Sequence, residues 1–407
     1  VGKGGGEIMQ ELKQVRQTLS GNYAVAYAVK QVDVDVIAAY PITPQTTMVE
    51  KLSEYVANGE LNAEYVPVES EHSALSVVTA AAAAGARVFT STSSQGLLLM
   101  HEILFITAAL RLPVVMAVAN RAVSAPINIW NDHSDAIDQR DTGWIQIFAE
   151  SSQEAYDTMI QAYRIAEDLR VRLPVMVNFD GYILTHTYEP VDTLPDEYVR
   201  EFTPRIKPPF RLHPDEPVSI GTLAPPDYYY EVKYQEINAI ENSLPIIEEV
   251  TKKDGELSGR YDNVAEPSFV KDADVILITM GALSGTARYV VKELRKHGIK
   301  AGLIKLRVFR PFPAKILIDL IRDAKVVGVV DRAVSPGAVG GPVFMEIAAA
   351  MKLFGVNVPL MNFIAGLGGR DVTSRDIKYM FDELQSVALT GKLKRFVYYV
   401  GLRGWEP

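Results

Sequence analysis

Cysteine is absent from all 407 residues. The chain therefore cannot close a disulfide, attack through a thiolate, build a zinc–thiolate site or hold a Cys-ligated iron–sulfur cluster. A basic excess is lacking as well: 41 Lys and Arg against 50 Asp and Glu leave a net charge of −9, which argues against a nucleic-acid binder. No apolar run reaches the ~18–20 residues needed to span a bilayer. The opening stretch VGKGGGEIMQELKQ has no apolar h-region, so it does not read as a signal peptide. Its GKGGGE lacks both the GK[ST] ending and the preceding strand of a phosphate loop, and reads as a frayed terminus. The expected compartment is the cytoplasm.

What is present is the patterning of an α/β protein. At ~150 residues per domain the length suggests two to three domains. Short runs, apolar nearly throughout rather than alternating, occur at 34–39 (VDVIAA), 87–90 (RVFT), 114–119 (VVMAVA) and 175–179 (VMVNF), and again at 274–279 (DVILIT), 301–306 (AGLIKL), 326–330 (VVGVV) and 358–363 (VPLMNF). Such runs are expected of strands buried on both faces of a parallel sheet. Helix-forming stretches such as 73–85, 153–169 and 286–297 lie between them, which implies crossover connections. From about 188 to 267 the composition shifts to proline, acid and tyrosine (TPRIKPPFRLHPDEP, APPDYYYEVKY), read as a long connection with one helix around 230–241. The expected division is 1–200, a connecting segment 201–267, a second α/β domain 268–385, and a tail 386–407.

Ligands of open α/β sheets bind beyond the carboxyl ends of the strands, which singles out three turns. Tyr40-Pro41-Ile42-Thr43-Pro44 follows the first strand; Thr43 either caps a helix starting near Gln45 or presents its hydroxyl to a ligand. Glu69-Ser70-Glu71-His72-Ser73 runs into the helix LSVVTAAAAAG, which offers no side chain to pair with Glu71. Its carboxylates are dipole-matched caps or a functional acid. Arg121 in Asn120-Arg121 follows the strand at 114–119, placed to clamp a carboxylate or to pair with an acid of INIWNDHSDAIDQRD. Asp132, His133, Asp135 and Asp141 in that loop could pass for a metal site, but the loop brings a single nitrogen ligand and no ligand-bearing element. Ser91-Thr92-Ser93-Ser94-Gln95-Gly96 is a hydroxyl-rich turn opening another helix. The glycine turns Ser335-Pro336-Gly337 and Gly366-Leu367-Gly368-Gly369-Arg370 do not fit a dinucleotide fingerprint.

Taken in order, YPITP, ESEHSA, STSSQGLLLMHE, ANRA, QRDTGW and GLGGRDVT resemble the α subunit of 2-oxoacid:ferredoxin oxidoreductases, nearest the pyruvate:ferredoxin members, from about Gly21 to about Leu384. The resemblance implies thiamine diphosphate shared between two halves. This chain is similar to the pyrimidine-binding half (to about 200) plus a transketolase C-terminal-like α/β domain. The diphosphate half carries a GDG motif, but the only Asp-Gly pairs here, Asp180-Gly181 and Asp254-Gly255, stand in the wrong setting. Mg²⁺ and the diphosphate are thus expected on a β subunit, and [4Fe–4S] clusters on β and on a small ferredoxin-like δ subunit. A γ subunit completes the set, up to a dimer of heterotetramers.

By the same resemblance Glu71 matches the glutamate that hydrogen-bonds N1′ of the aminopyrimidine and favours its imino tautomer. Thr43 and Arg121 match the residues facing the substrate's carboxylate, and Tyr40, Pro41, Ile42, Ser94, Gln95 and Gly96 line the cofactor; no metal is expected on this chain. The implied reaction is oxidative decarboxylation of pyruvate with coenzyme A to acetyl-CoA and CO₂, with electrons passing to ferredoxin. Alternatives are another 2-oxoacid (2-oxoisovalerate, an aryl oxoacid), a lipoamide-linked dehydrogenase or transketolase-like subunit, and a non-catalytic assembly subunit.

Overall fold

The computed structural model describes residues 14–404; the glycine-rich opening stretch lies outside them. Its strands form two large sheets and one two-stranded ribbon. The seven-stranded sheet runs Val308–Arg310, Ile145–Ala149, Val175–Asp180, Val115–Asn120, Val88–Thr92, Val36–Ala39, Glu64–Pro67, parallel except for the first. The six-stranded sheet runs Val397–Tyr399, Leu360–Ile364, Val326–Asp331, Val275–Thr279, Ala301–Leu306, Ala265–Ser268, with only the last antiparallel. Val15–Ser20 pairs antiparallel with Tyr188–Thr193. All eight apolar runs contain a strand. Their central members are buried along their whole length, as apolar runs sandwiched between helices should be.

The two sheets are not beads on a tether. Val308–Arg310 belongs to the chain of the second domain but pairs with Ile145–Ala149, closing the edge of the first sheet. Beside it Arg307 is fully buried, donating to Glu154 (2.9 Å), Thr158 (2.8 Å) and Gln161 (2.7 Å). Lys305 bonds Glu154 and Glu266, each at 2.9 Å. One apolar cluster runs without a break from Leu75 and Val78 through Met116 and Trp144 to Ile276, Ile304 and Val327, so the domains share a core.

The segment expected as a connection is more ordered than its composition suggested. It holds Pro226–Glu241, as expected, and a second helix, Ser243–Ser258. Pro245 and Gly255 masked the latter. Pro245 lies in its first turn, where a missing N–H costs nothing, and at Gly255 a Cβ would stand 2.4 Å from the Tyr261 ring. The final helix, Ser374–Thr390, passes the boundary expected at 385, and the tail supplies the edge strand Val397–Tyr399.

Candidate functional site

Four strands adjacent in the first sheet, Glu64–Pro67, Val36–Ala39, Val88–Thr92 and Val115–Asn120, end at one rim. The turns that follow them carry Glu71, Thr43, Ser94 and Arg121 respectively. Adjacency in the sheet thus brings together four loops spread over 80 residues of sequence. The chain moves from Val36–Ala39 to its neighbour on one side, then crosses back to Val88–Thr92 on the other. That reversal is the crevice where α/β sheets bind ligands.

Glu71 is the first residue of the helix Glu71–Ala83, capped by Ser70, whose hydroxyl accepts from Ser73 N. The helix packs over Val36–Ala39 and Val88–Thr92 through Ala74, Leu75, Val78 and Ala82, an i, i+1, i+4, i+8 face of small side chains that allows close approach. Glu71 is 7% exposed, and no hydrogen bond or ion pair engages its carboxylate among the described residues. Opposite it, a Cβ on Gly96 would stand 2.6 Å from Glu71 Oε1 and 2.5 Å from Thr92 Oγ1, so any larger residue there would displace one or both side chains. Thr92 Oγ1, Ser91 Oγ, Gln95 Nε2 and Gln45 Oε1 are buried without a partner. Buried polar atoms normally have partners, and of these four Thr92 Oγ1 is the one that meets Glu71 beside Gly96.

Arg121 is 7% exposed. Its Nε donates to Asn128 O (2.7 Å) and its Nη1 to Thr43 O (3.0 Å), leaving Nη2 without a hydrogen-bond partner among the described residues. Burial lowers its pKa, opposed by Asp135 and Tyr182. The Thr43 side chain is exposed, and Gln45 caps the helix Thr46–Ala57 without a side-chain bond, so Thr43 is not spent as a cap. Tyr40 and Pro41 are exposed beside it and Ile42 half-buried. Gln45 Nε2 pins the turn, donating to Tyr40 O and Ser91 O at 3.1 Å.

Asp135 proves to be the frame of the site, a role that sequence reasoning missed. Fully buried, it accepts from Ser94 N (3.0 Å), Arg121 N (2.9 Å) and Asn120 Nδ2 (3.0 Å), tying two of the four turns together. Burial pushes its pKa up to about 6 against the pull of those donors. Ser94 belongs to the same frame: its hydroxyl lies 2.6 Å from Ala122 O and its side chain is buried. The other acids of that loop scatter rather than converge. Asp132 accepts from Ser134 and from Gly368 N (3.0 Å), and His133 pairs at 2.8 Å with Asp180, which also binds Arg332 at 2.7 Å. Only Glu154, Asp262 and Glu266 cluster with metal-like spacing among the described residues, and Lys305 and Arg307 already neutralise them. Glu69 accepts from Ser73 Oγ, a bond that lowers its pKa, and His72 faces Glu102 at the surface.

No helix among the described residues is long and apolar enough to cross a membrane. Residues 27–252 match the family model described as pyruvate flavodoxin/ferredoxin oxidoreductase, thiamine diP-bdg, and residues 273–377 match pyruvate:ferredoxin oxidoreductase core domain II. The chain is 50% identical to pyruvate synthase subunit PorA of Methanocaldococcus jannaschii, over 93% of this chain and 96% of that protein. It is 45% identical to ketoisovalerate oxidoreductase subunit VorA of Pyrococcus abyssi, over 97% of this chain and 100% of that one. Among solved structures, a 2-oxoglutarate:ferredoxin oxidoreductase from Magnetococcus marinus superposes with a TM-score of 0.69 at 19% identity, over 91% of this chain and 65% of that chain. A split-gene transketolase superposes at 0.54 and 12% identity, over 91% and 100%. These two share the fold. A mixed α/β chain with a thiamine diphosphate-binding domain, matched along nearly its whole length, belongs to the family of 2-oxoacid:ferredoxin oxidoreductase α subunits, oxidoreductases that act on a 2-oxoacid as parts of a complex.

Proposed function

We propose that this chain serves a pyruvate:ferredoxin oxidoreductase and that Glu71 holds the aminopyrimidine ring of its thiamine diphosphate. The observation that carries the reading is the Glu71 carboxylate, buried, unpartnered and facing Gly96. The unpartnered Thr92 Oγ1, which meets Glu71 beside Gly96, adds a polar atom that a ring bearing nitrogens can satisfy. When bound, the cofactor supplies the nucleophilic carbon and the electron sink for decarboxylation. Glu71 keeps a proton between its carboxylate and N1′ of the ring, fixing the ring's tautomer. Arg121 turns Nη2 to the carboxylate of the 2-oxoacid, and Thr43 offers its hydroxyl beside it. Gly96 leaves the space that the Glu71 carboxylate occupies in facing the ring.

The family resemblance implies the partners, and what the chain lacks agrees with it. Without cysteine or a GDG motif, the Mg²⁺–diphosphate half falls to a β subunit, and [4Fe–4S] clusters to β and a ferredoxin-like δ subunit, with γ as fourth chain. Coenzyme A and ferredoxin are the acyl and electron acceptors. Co-purification with iron–sulfur subunits, rather than with a lipoyl carrier, separates this assembly from a lipoamide-linked one.

Glu71→Ala in the reconstituted complex is expected to lower the decarboxylation rate by ~10²-fold or more; a near wild-type rate overturns the assignment and leaves an assembly role. Arg121→Met is expected to raise KM for the 2-oxoacid, costing ~2–5 kcal/mol if the pair is desolvated, and Thr43→Val to alter substrate use with assembly intact. The VorA relative favours a second reading, a branched-chain 2-oxoacid. A panel of 2-oxoacids with purified complex and a ferredoxin or viologen acceptor decides between them by kcat/KM.

A further inference from the structure

The side chain of Asn128 and the glycine turn of the second domain reach the substrate arginine from behind. Asn128 lies in the loop after Val115–Asn120, and its own carbonyl accepts from Arg121 Nε at 2.7 Å. Its side chain faces the other way. Asn128 Nδ2 donates to Gly368 O (3.0 Å), while Asn128 Oδ1 accepts from Trp130 N (2.7 Å). From the turn, Gly368 N returns a bond to Asp132 Oδ2 at 3.0 Å. The fit leaves no room for side chains: a Cβ on Gly368 would stand 2.7 Å from Asn128 Nδ2, and one on Gly369 2.3 Å from Trp130 Cβ. Both glycines have positive φ, +58° and +76°, where L side chains are strained.

We infer that Asn128 is a positioning residue for 2-oxoacid binding, and that the Gly366–Gly369 turn is the fixed point against which it holds Arg121. The inference rests on the reading of Arg121 as the substrate clamp. Two of the guanidinium's donors are committed to main-chain oxygens, one on each side of the clamp. The direction of the remaining Nη2 is set by where those oxygens sit. Thr43 O is fixed by the proline-flanked turn. Asn128 O belongs to a loop that is anchored further along by Ala122 N on Trp130 O and by Gly368 N on Asp132, and at Asn128 itself by its amide on Gly368 O. Loss of that amide loosens the position of Asn128 O without removing any atom that touches substrate, so the expected effect is on binding rather than on the chemical step.

The test measures steady-state kinetics of the reconstituted complex carrying Asn128→Ala, Gly368→Ala, Arg121→Met, or Asn128→Ala with Arg121→Met. Asn128→Ala is expected to raise KM for the 2-oxoacid roughly tenfold, with kcat and the KM for coenzyme A within about twofold of wild type. Gly368→Ala is expected to reproduce the shift from the opposite side of the contact. The double variant is expected to be no worse than Arg121→Met alone, because both act through one guanidinium. An unchanged KM in Asn128→Ala, or losses that add in the double variant, overturns the inference. An unchanged KM in Arg121→Met overturns the clamp reading itself, a separate outcome. Should Asn128→Ala fail to assemble, Asn128→Asp carries the test: nearly isosteric, it keeps the acceptor for Trp130 N–H and replaces the donor to Gly368 O with a charged oxygen that repels it.

Discussion

Glu71 and Gly96 can be understood only as a pair, because the carboxylate occupies the space a side chain at 96 would take. Gly96→Ala is therefore a sharper probe than its size suggests. Alanine is favoured over glycine by about 1 kcal/mol within a helix, so the short helix Ser94–Leu99 gains propensity while Glu71 and Thr92 are pushed from their places. Catalytic rate is expected to fall at least tenfold with the thermal midpoint lowered by only a few degrees; retained activity would show that the Glu71 position is not critical. Each turn was legible in sequence, ESEHSA as a helix start with no partner for its second acid and STSSQG as a hydroxyl-rich turn. Their pairing was not, because it depends on how the two strands flanking Val36–Ala39 place the helices that follow them. Nor was Asp135. In NDHSDAIDQRD it looks like Asp132, Asp138 or Asp141, and what sets it apart is burial beneath Asn120 and Arg121, which only the fold creates.

Strand legibility tracked burial. Runs enclosed on both faces were readable from their unbroken apolar character, and the candidate site follows from them because open α/β sheets bind ligands beyond the carboxyl ends of their strands. Ile145–Ala149 escaped notice although it is wholly buried, since Gln146 interrupts the run to donate at 2.8 Å to Ala136 O. Val308–Arg310 is three residues long, too short for any periodicity, yet it joins the sheets. Next to it, the buried Arg307 neutralises Glu154 and lies 3.4 Å from Asp262. Removing one member of such a group leaves a buried charge uncompensated, whereas removing charges in pairs costs less. Arg307→Met is thus expected to destabilise the chain by about 3–5 kcal/mol, read as a fall in the thermal midpoint of the assembled enzyme. Adding Glu154→Gln should recover part of the loss. A double variant less stable than Arg307→Met would show that Glu154 is held chiefly by Lys305.

At the scale of the whole molecule, both sheets bury a carboxylate at the same kind of place. Asp180 ends Val175–Asp180 and Asp331 ends Val326–Asp331, but their surroundings drive them apart. Burial alone would raise Asp180; Arg332 and then His133 outweigh it and hold the group at about 2. Asp331 pairs with no cation among the described residues; burial prevails over the N–H groups of Val343 and Phe344 and the Asn362 amide, pushing it up to about 7. The signs of their contributions to stability are opposite. Asp180, lowered in the folded state, stabilises above pH ~4 and loses that contribution as pH falls toward 2. Asp331, raised in the folded state, keeps a proton that the unfolded chain has released. Its contribution is full below pH ~4 and is lost as pH rises through 7. Between pH 5 and 8 Asp180 is constant and Asp331 is not, which separates them experimentally. Asp331→Asn is neutral throughout, and its lost carboxylate contacts cost the same at every pH. The difference in thermal midpoint, variant minus wild type, is therefore expected to move in the variant's favour from pH 5 to pH 8, while other titrating groups cancel. A difference that stays flat across that range would mean that Asp331 is already ionised at pH 5, with its three N–H donors outweighing the cost of burial.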